Sequence, residues 1–322
     1  MSKFGPYRIV CFGGGTGLPT LLRGLKYNNY WSNITAVVTM FDSGGASCEL
    51  RDQFGSLPPS DFARCYLGLS QQEELLRQFW FKKSRRGYTA LHRLISGNEK
   101  LTQNFADIIE DLKDWLQVAE NHFVLPVTFS NSHLNAIAES DAVAENEVDV
   151  DELIKDGEII KNLFLKPKAL ATNEVLQAIR RADVICIGPG SFYTSLLPNF
   201  LVQGVGQAII RSTAPIIFIS NLLKEGQGMR HLLLAEIVKI AEEHVGREFA
   251  KIIVNNSVPL GFDLEGYKSK EQKTPILFEE LPVGDERFES ASLWKNPEQA
   301  HHDSSILDKV VYSLTRELLN KG

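Results

Sequence analysis

The chain has 322 residues, 43% of them hydrophobic and 23% charged, with a formal net charge of −6. Such a composition is that of an ordinary globular protein with room for one large α/β domain or two, and the acidic balance argues against an extended nucleic-acid surface. No run approaches the ~20 apolar residues that span a bilayer, and Met1–Pro6 carries no apolar leader with a cleavage site, so a cytoplasmic protein without membrane partners is expected.

Tyr7–Phe12 is a short β-branched and aromatic run that reads as a strand. It enters the turn Gly13, Gly14, Gly15, Thr16, Gly17, and a helical pattern follows over Leu18–Lys26. Nearly side-chain-free backbone at a helix N-terminus lets N–H groups approach a phosphate closely. The turn is no P-loop, because no Gly-Lys-Ser/Thr follows. It also departs from the dinucleotide fingerprint, since Leu18 or Thr20 falls at the third glycine position. A tight strand-to-helix connection is the alternative to ligand approach.

A second strand pattern, Ile34–Met40, runs into Asp42, Ser43, Gly44, Gly45 and Ser47. Asp42 stands where many nucleotide folds place an acid that accepts from ribose or base, although an Asx-turn explains the same residues. Arg51 and Asp52 follow, and Pro58–Arg64 then adds Asp61 and Arg64 at a helix start. Asp61 serves there either as N-cap or as ligand contact, and Arg64 can clamp a phosphate. From 61 to 121 the apolar spacing is helical, as in an insertion between the second strand and the rest of the sheet. Glu139–Asp156 is acidic and poorly periodic, which suggests a loop or small hairpin.

Helix Asn173–Arg181 and strand Val184–Ile187 lead to a third turn, Gly188, Pro189, Gly190, Ser191, then Tyr193 and Thr194. Gly-x-Gly-Ser opening a helix makes a nest of N–H groups, with Ser191 and Thr194 as ligands or caps. Helix Thr194–Arg211, strand Ile216–Ile219, helix His231–Glu243 and strand Lys251–Val254 continue the alternation. Residues 256–300 are irregular and charged, before a closing helix over Ser304–Asn320. Alternating apolar strands and helices predict a single α/β domain over 1–322, with a three-layer Rossmann-like core and a mostly parallel sheet. The three turns then share one crevice at the carboxyl ends of the strands.

Other chemistries lack their residues. Cys11, Cys48, Cys65 and Cys186 are scattered, with no Cys-x-x-Cys, and the seven histidines show no zinc spacing. Ser191 is not followed by the glycine of a hydrolase elbow.

The segments Gly13–Leu18, Thr39–Arg51, Pro58–Asp61 and Gly188–Ser195 together resemble the superfamily of 2-phospho-L-lactate transferases and gluconeogenesis factors, the CofD-like and YvcK-like proteins. Its strings look like G-G-G-T-G-L, T-x-x-D-[DS]-G-G-S-S-x-x-L-R, P-P-G-D and G-P-G-S-x-Y-T-S, and Asn221 stands where the family has a similar Asn. The resemblance covers most of residues 7–255 and weakens after Asn256. It implies a Rossmann-like core with a helical insertion, and a homodimer.

One branch binds UDP-sugars and influences carbon metabolism and cell shape. The other transfers a phospholactyl group from a guanylylated donor to a deazaflavin precursor with Mg²⁺. This chain departs from the family in three places: Phe41 replaces the first acid of an Asp-Asp pair, Pro58–Arg64 lacks the Arg-Asn pair of the family's P-P-G-D-x-R-N unless Arg64 substitutes, and a Gly-His-x-x-Gly-Asn string is missing from the insertion. These losses favour a regulatory nucleotide or nucleotide-sugar binder, with no tightly bound cofactor. In the transferase alternative Asp42 would hold the acceptor, or Mg²⁺ through the substrate. A nicotinamide-dependent oxidoreductase is a third class, disfavoured by the failed glycine fingerprint.

Overall fold

The protein was analysed as a computed structural model that describes residues 6–44, 60–80, 111–270, 272–276 and 284–320. Its centre is a parallel sheet of seven strands: β1 (Tyr7–Gly13), β2 (Trp31–Val38), β3 (His122–Pro126), β7 (Val184–Ile187), β8 (Ile216–Ile219), β10 (Lys251–Asn255) and β12 (Phe288–Ala291). They lie in the order β12-β10-β8-β7-β1-β2-β3, and every neighbouring pair is parallel. The interior strands are near-continuous apolar runs because helices bury both faces; every residue of β7 and β8 is buried.

The helices are α1 (Gly17–Leu25), α2 (Ser60–Leu69), α3 (Glu73–Trp80), α4 (Glu147–Lys155), α5 (Asn173–Arg181), α6 (Pro198–Leu201), α7 (Val205–Arg211), α8 (Leu234–Val245), α9 (Leu264–Lys270) and α10 (Ser304–Asn320). Helix α1 packs against α2 and α10, while α7 packs against α5 and α8. From β1 the chain steps outward through β2 to β3. It then returns to β7 on the other side of β1 and steps outward again through β8, β10 and β12. The reversal falls between β1 and β7, and ligands of open α/β sheets bind outside the carboxyl ends of the strands at such a point.

The structure differs from the sequence expectation in four places. Helix Thr194–Arg211 is broken into a π-turn at Phe192–Leu196, then α6 and α7, because Pro198 and Gly204, the latter with φ of 101°, interrupt the hydrogen-bond ladder. The acidic stretch Glu139–Asp156 contains β5 (Val143–Ala144) and α4. Asn146 caps α4 by accepting from the Asp149 amide, and Glu147 and Asp149 suit its N-terminus. Strands β4 (His133–Ala138), β5 and β6 (Ile160–Lys166) form a separate antiparallel sheet. Finally, the irregular region after residue 256 supplies α9, β11 (Thr274–Pro275, paired with β9 at Leu223–Lys224), β12, and the hairpin β13 (Trp294–Asn296) with β14 (Gln299–His302). The insertion is helical at α2, α3 and residues 111–115, and residues 81–110 lie outside the described part.

Candidate functional site

The turns after β1 and β7 meet at the switch point and pack back to back. A Cβ on Gly17 would collide with the Pro189 carbonyl, and one on Gly14 would stand 2.5 Å from Thr39 Cγ2 and 2.9 Å from Asp61 Oδ2. Gly188 has φ of +90°, and a Cβ there would lie 2.6 Å from the Ile219 carbonyl. These glycines are required by close approach of backbone to backbone. Gly13 and Gly14 therefore form the floor behind the cleft rather than its lining.

The cleft itself has a volume of about 420 Å³ and is lined by Gly15, Thr16, Gly17, Arg64, Gly190, Ser191 and Asn221 among the sequence-predicted residues. Helix α1 opens here with Thr16 as a side-chain-unbonded N-cap and no acid in its first turn. Its positive end is thus uncompensated from within the helix. The Gly15 amide donates to Asp61 Oδ2 at 2.5 Å, and Arg64 donates to Asp61 Oδ1 at 3.1 Å. The Thr16 and Gly17 amides have no acceptor among the described residues. Burial raises the Asp61 carboxyl above its usual range; Arg64 opposes the shift, and nearby Asp42 adds to it.

The other predicted residues have different roles. Thr194 lines an adjoining compartment and donates from its hydroxyl to Ser191 Oγ at 2.7 Å. Tyr193 is buried against Phe192 and does not line the cleft; burial pushes its phenol up to about 12. Asp42 does not line the cleft either, and its Oδ1 accepts from the Gly44 amide at 2.9 Å in an Asx-turn. Ser43 is tied to α4: its amide donates to Glu147 at 3.5 Å, and its Oγ accepts from the Val148 amide at 3.2 Å. Burial, with Asp42 next in effect, raises Glu147 to about 7. Ser47 and Arg51 lie outside the described residues.

Among the described residues no three carboxylate, imidazole or thiol groups converge to hold a metal ion. The oxygens of Asp61 and Oδ1 of Asp42 are already engaged. Among the described residues the donor set does not make a protein-held Mg²⁺ site.

Sequence reasoning missed the far wall. Tyr267, Lys273, Ala300, His301 and His302, from the irregular C-terminal region, close the cleft opposite the turns, and Glu225 lies between them and Ser191. His302 is buried with Nε2 at 3.1 Å from the Ser220 carbonyl, and burial lowers its imidazole to about 4. Nothing in the spacing of these residues marks them; only Glu225, four residues after Asn221 in a strand-end loop, stands where a signal could have been sought.

The family model described as 2-phospho-L-lactate transferase CofD matches residues 9–289. The chain belongs to the CofD family. Within it, the gluconeogenesis factor of Bacillus subtilis is 31% identical over 96% of this chain and 98% of its own length. That of Halalkalibacterium halodurans is 34% identical over 84% of each chain. A Clostridium acetobutylicum relative is 38% identical over 77% of this chain, a match that spans 56% of that protein. A crystal structure of a Bacillus halodurans member of the UPF0052 family superposes with a TM-score of 0.86 at 30% identity, covering 95% of this chain and 99% of that one. This CofD-family chain therefore has the α/β Rossmann-like architecture that its motifs implied, and among its described residues no helix is long and apolar enough to cross a membrane.

Proposed function

We propose that this protein binds a nucleotide or nucleotide-sugar at the switch point and acts as a regulator of carbon metabolism or cell shape. The observation that carries the reading is the pair of uncommitted amides at Thr16 and Gly17, at the start of a helix with no acid in its own first turn and with the Arg64 guanidinium beside them. Those groups hold a phosphate by hydrogen bonds and charge. Membership among relatives named gluconeogenesis factors supports the regulatory half of the reading.

The second reading is a phospholactate-type transferase, favoured by the description of the family model and by a cleft with two connected compartments. In such an enzyme the turn amides and Arg64 would stabilise charge on phosphoryl oxygens while an acceptor hydroxyl attacks.

A thermal-shift panel of UDP-GlcNAc, UDP-glucose, GTP, GDP and NAD, each with and without Mg²⁺, separates the two. Uridine nucleotides are expected to stabilise the fold by about 2.7 kcal/mol at a hundredfold excess over Kd. Strong stabilisation by guanosine nucleotides with Mg²⁺, and none by uridine nucleotides, would favour the transferase. A response to NAD alone would sink both readings.

A further inference from the structure

A second cavity, of about 560 Å³, lies beside the cleft between α1, the α2–α3 corner and the β13–β14 hairpin. One stripe of α1 forms its wall at Thr16, Thr20 and Arg23, because residues three or four apart share a helix face. Arg64 lines it from α2, Arg77 from α3 and Lys295 from β13. Of these cations only Arg64 also lines the cleft.

The cations outnumber the carboxylates of the lining, Glu73 and Glu74, in a chain whose net charge is −6. Glu73 is filled: it accepts from Arg23 Nε and Nη2, from Arg77 Nη2, and from Lys26 Nζ. A guanidinium carries five N–H donors. After these bonds Arg23 Nη1 and Arg77 Nε and Nη1 have no acceptor among the described residues. Arg64 spends only Nη1, on Asp61. Lys295 Nζ has no hydrogen-bond or carboxylate partner among the described residues, and Glu74 bonds none of these groups. The charges are close enough to act on one another: after burial, Lys295 and Arg23 both lower the His301 imidazole.

Spare donors of like charge, carried on three elements, thus converge on one cavity of a size that takes a small molecule. Arg23 stands seven residues from the N-cap Thr16, about 10 Å along the helix axis. An anion held at Arg23 and Arg77 is therefore a different group from a phosphate on the Thr16 and Gly17 amides.

We propose that this groove is a second site, for a compact anion bearing two or more carboxylate or phosphate groups, and that its occupant weakens binding in the cleft by drawing on Arg64. Arg64 is tethered by one bond to Asp61, the carboxylate that also accepts the Gly15 amide. An anion that takes its remaining donors from the groove side holds the guanidinium away from a cleft ligand. The coupling is reciprocal, so a cleft ligand weakens the groove anion by the same factor. The coupling rests on the phosphate reading of the α1 turn, whereas the groove site does not.

Titration calorimetry at constant ionic strength tests the groove with two probes, citrate for carboxylates and methylenediphosphonate for phosphates. At least one is expected to bind with Kd below about 1 mM, and the tighter of the two names the source of the charge. Lys295→Glu and Arg77→Gln, at positions that do not line the cleft, are each expected to weaken it at least about tenfold. The Lys295 side chain has no partner to lose, so that variant decides the matter if Arg77→Gln does not fold. Binding of neither probe, or an unchanged Kd in Lys295→Glu, overturns the groove site.

A second titration measures GDP and UDP-glucose with and without the probe at about ten times its wild-type Kd. The nucleotide that binds is expected to lose at least about threefold in affinity, and Lys295→Glu to halve that loss or better. No loss in the wild type, or a loss the variant keeps in full, overturns the coupling. Failure of both nucleotides to bind, with the probe still held through Lys295, sinks the phosphate reading and leaves the groove site standing.

Discussion

Glu73 shows how much one side chain can hold together. It accepts from Arg23 Nη2 at 2.6 Å, from Arg77 Nη2 at 2.6 Å and from Lys26 Nζ at 2.9 Å, while the Lys26 side chain is 0% exposed. The three cations hold its carboxyl down at about 2 against the cost of burial. Removing the charge leaves Lys26 buried against the Ser70 carbonyl and the Tyr27 ring with no counter-charge from Glu73. Glu73→Gln is therefore expected to lose about 3 kcal/mol in urea unfolding at neutral pH. The depressed carboxyl stabilises the fold above its unfolded value of about 4.5 and ceases to do so as pH falls toward 2, so the variant should also show a shallower acid limb over that range. An unchanged urea midpoint would show that Lys26 finds another partner.

The elements that the sequence made legible are those whose signals are local. Helix α5 begins after Thr172, whose hydroxyl accepts from the Val175 amide, and ends at a pair of arginines, so both ends are written in residue types. Strands β7 and β8 are bounded apolar runs. Strand β12 reads Phe-Glu-Ser-Ala and lies at a sheet edge, so burial does not demand an apolar run there. At the site, glycine content located the turns after β1 and β7. It did not show that the Gly190 and Phe192 amides are occupied by Asn221 and Glu225, because that depends on side chains about 30 residues away. The packing of turn on turn carries its own prediction. Gly17→Ala places a methyl against the Pro189 carbonyl, and should cost about 3 kcal/mol and abolish stabilisation by any phosphorylated ligand. A normal melting temperature with intact ligand response would show that the turns can separate.

At the scale of the whole molecule, the C-terminal region is fastened to the sheet through β14. His302 bonds the Ser220 carbonyl, just beyond β8, and its imidazole is held near 4 by burial. The folded state keeps this ring neutral, whereas the unfolded chain takes up a proton below about 6.5. Stability from this group is complete above about 6.5 and declines as pH falls toward 4, by up to roughly 3 kcal/mol. His302→Gln should flatten that part of the stability profile measured by urea unfolding at pH 6.5 and 4.5. A profile parallel to the wild type would place the acid sensitivity elsewhere.

The parallel order of the sheet has a consequence in time. Strand β1 pairs with β2 nearby in sequence, but Ile9 also pairs with Val184, and Arg8 is fixed to Asp183 across 175 residues. At ordinary synthesis rates the glycine turn after β1 leaves the ribosome roughly 10–30 s before its partner turn exists. Closing so long a loop is slow, and until it closes the nascent chain presents the α1 turn without the residues after β7 that complete the cleft. A ligand at this site therefore selects finished molecules: it should slow unfolding while leaving the rate of folding unchanged.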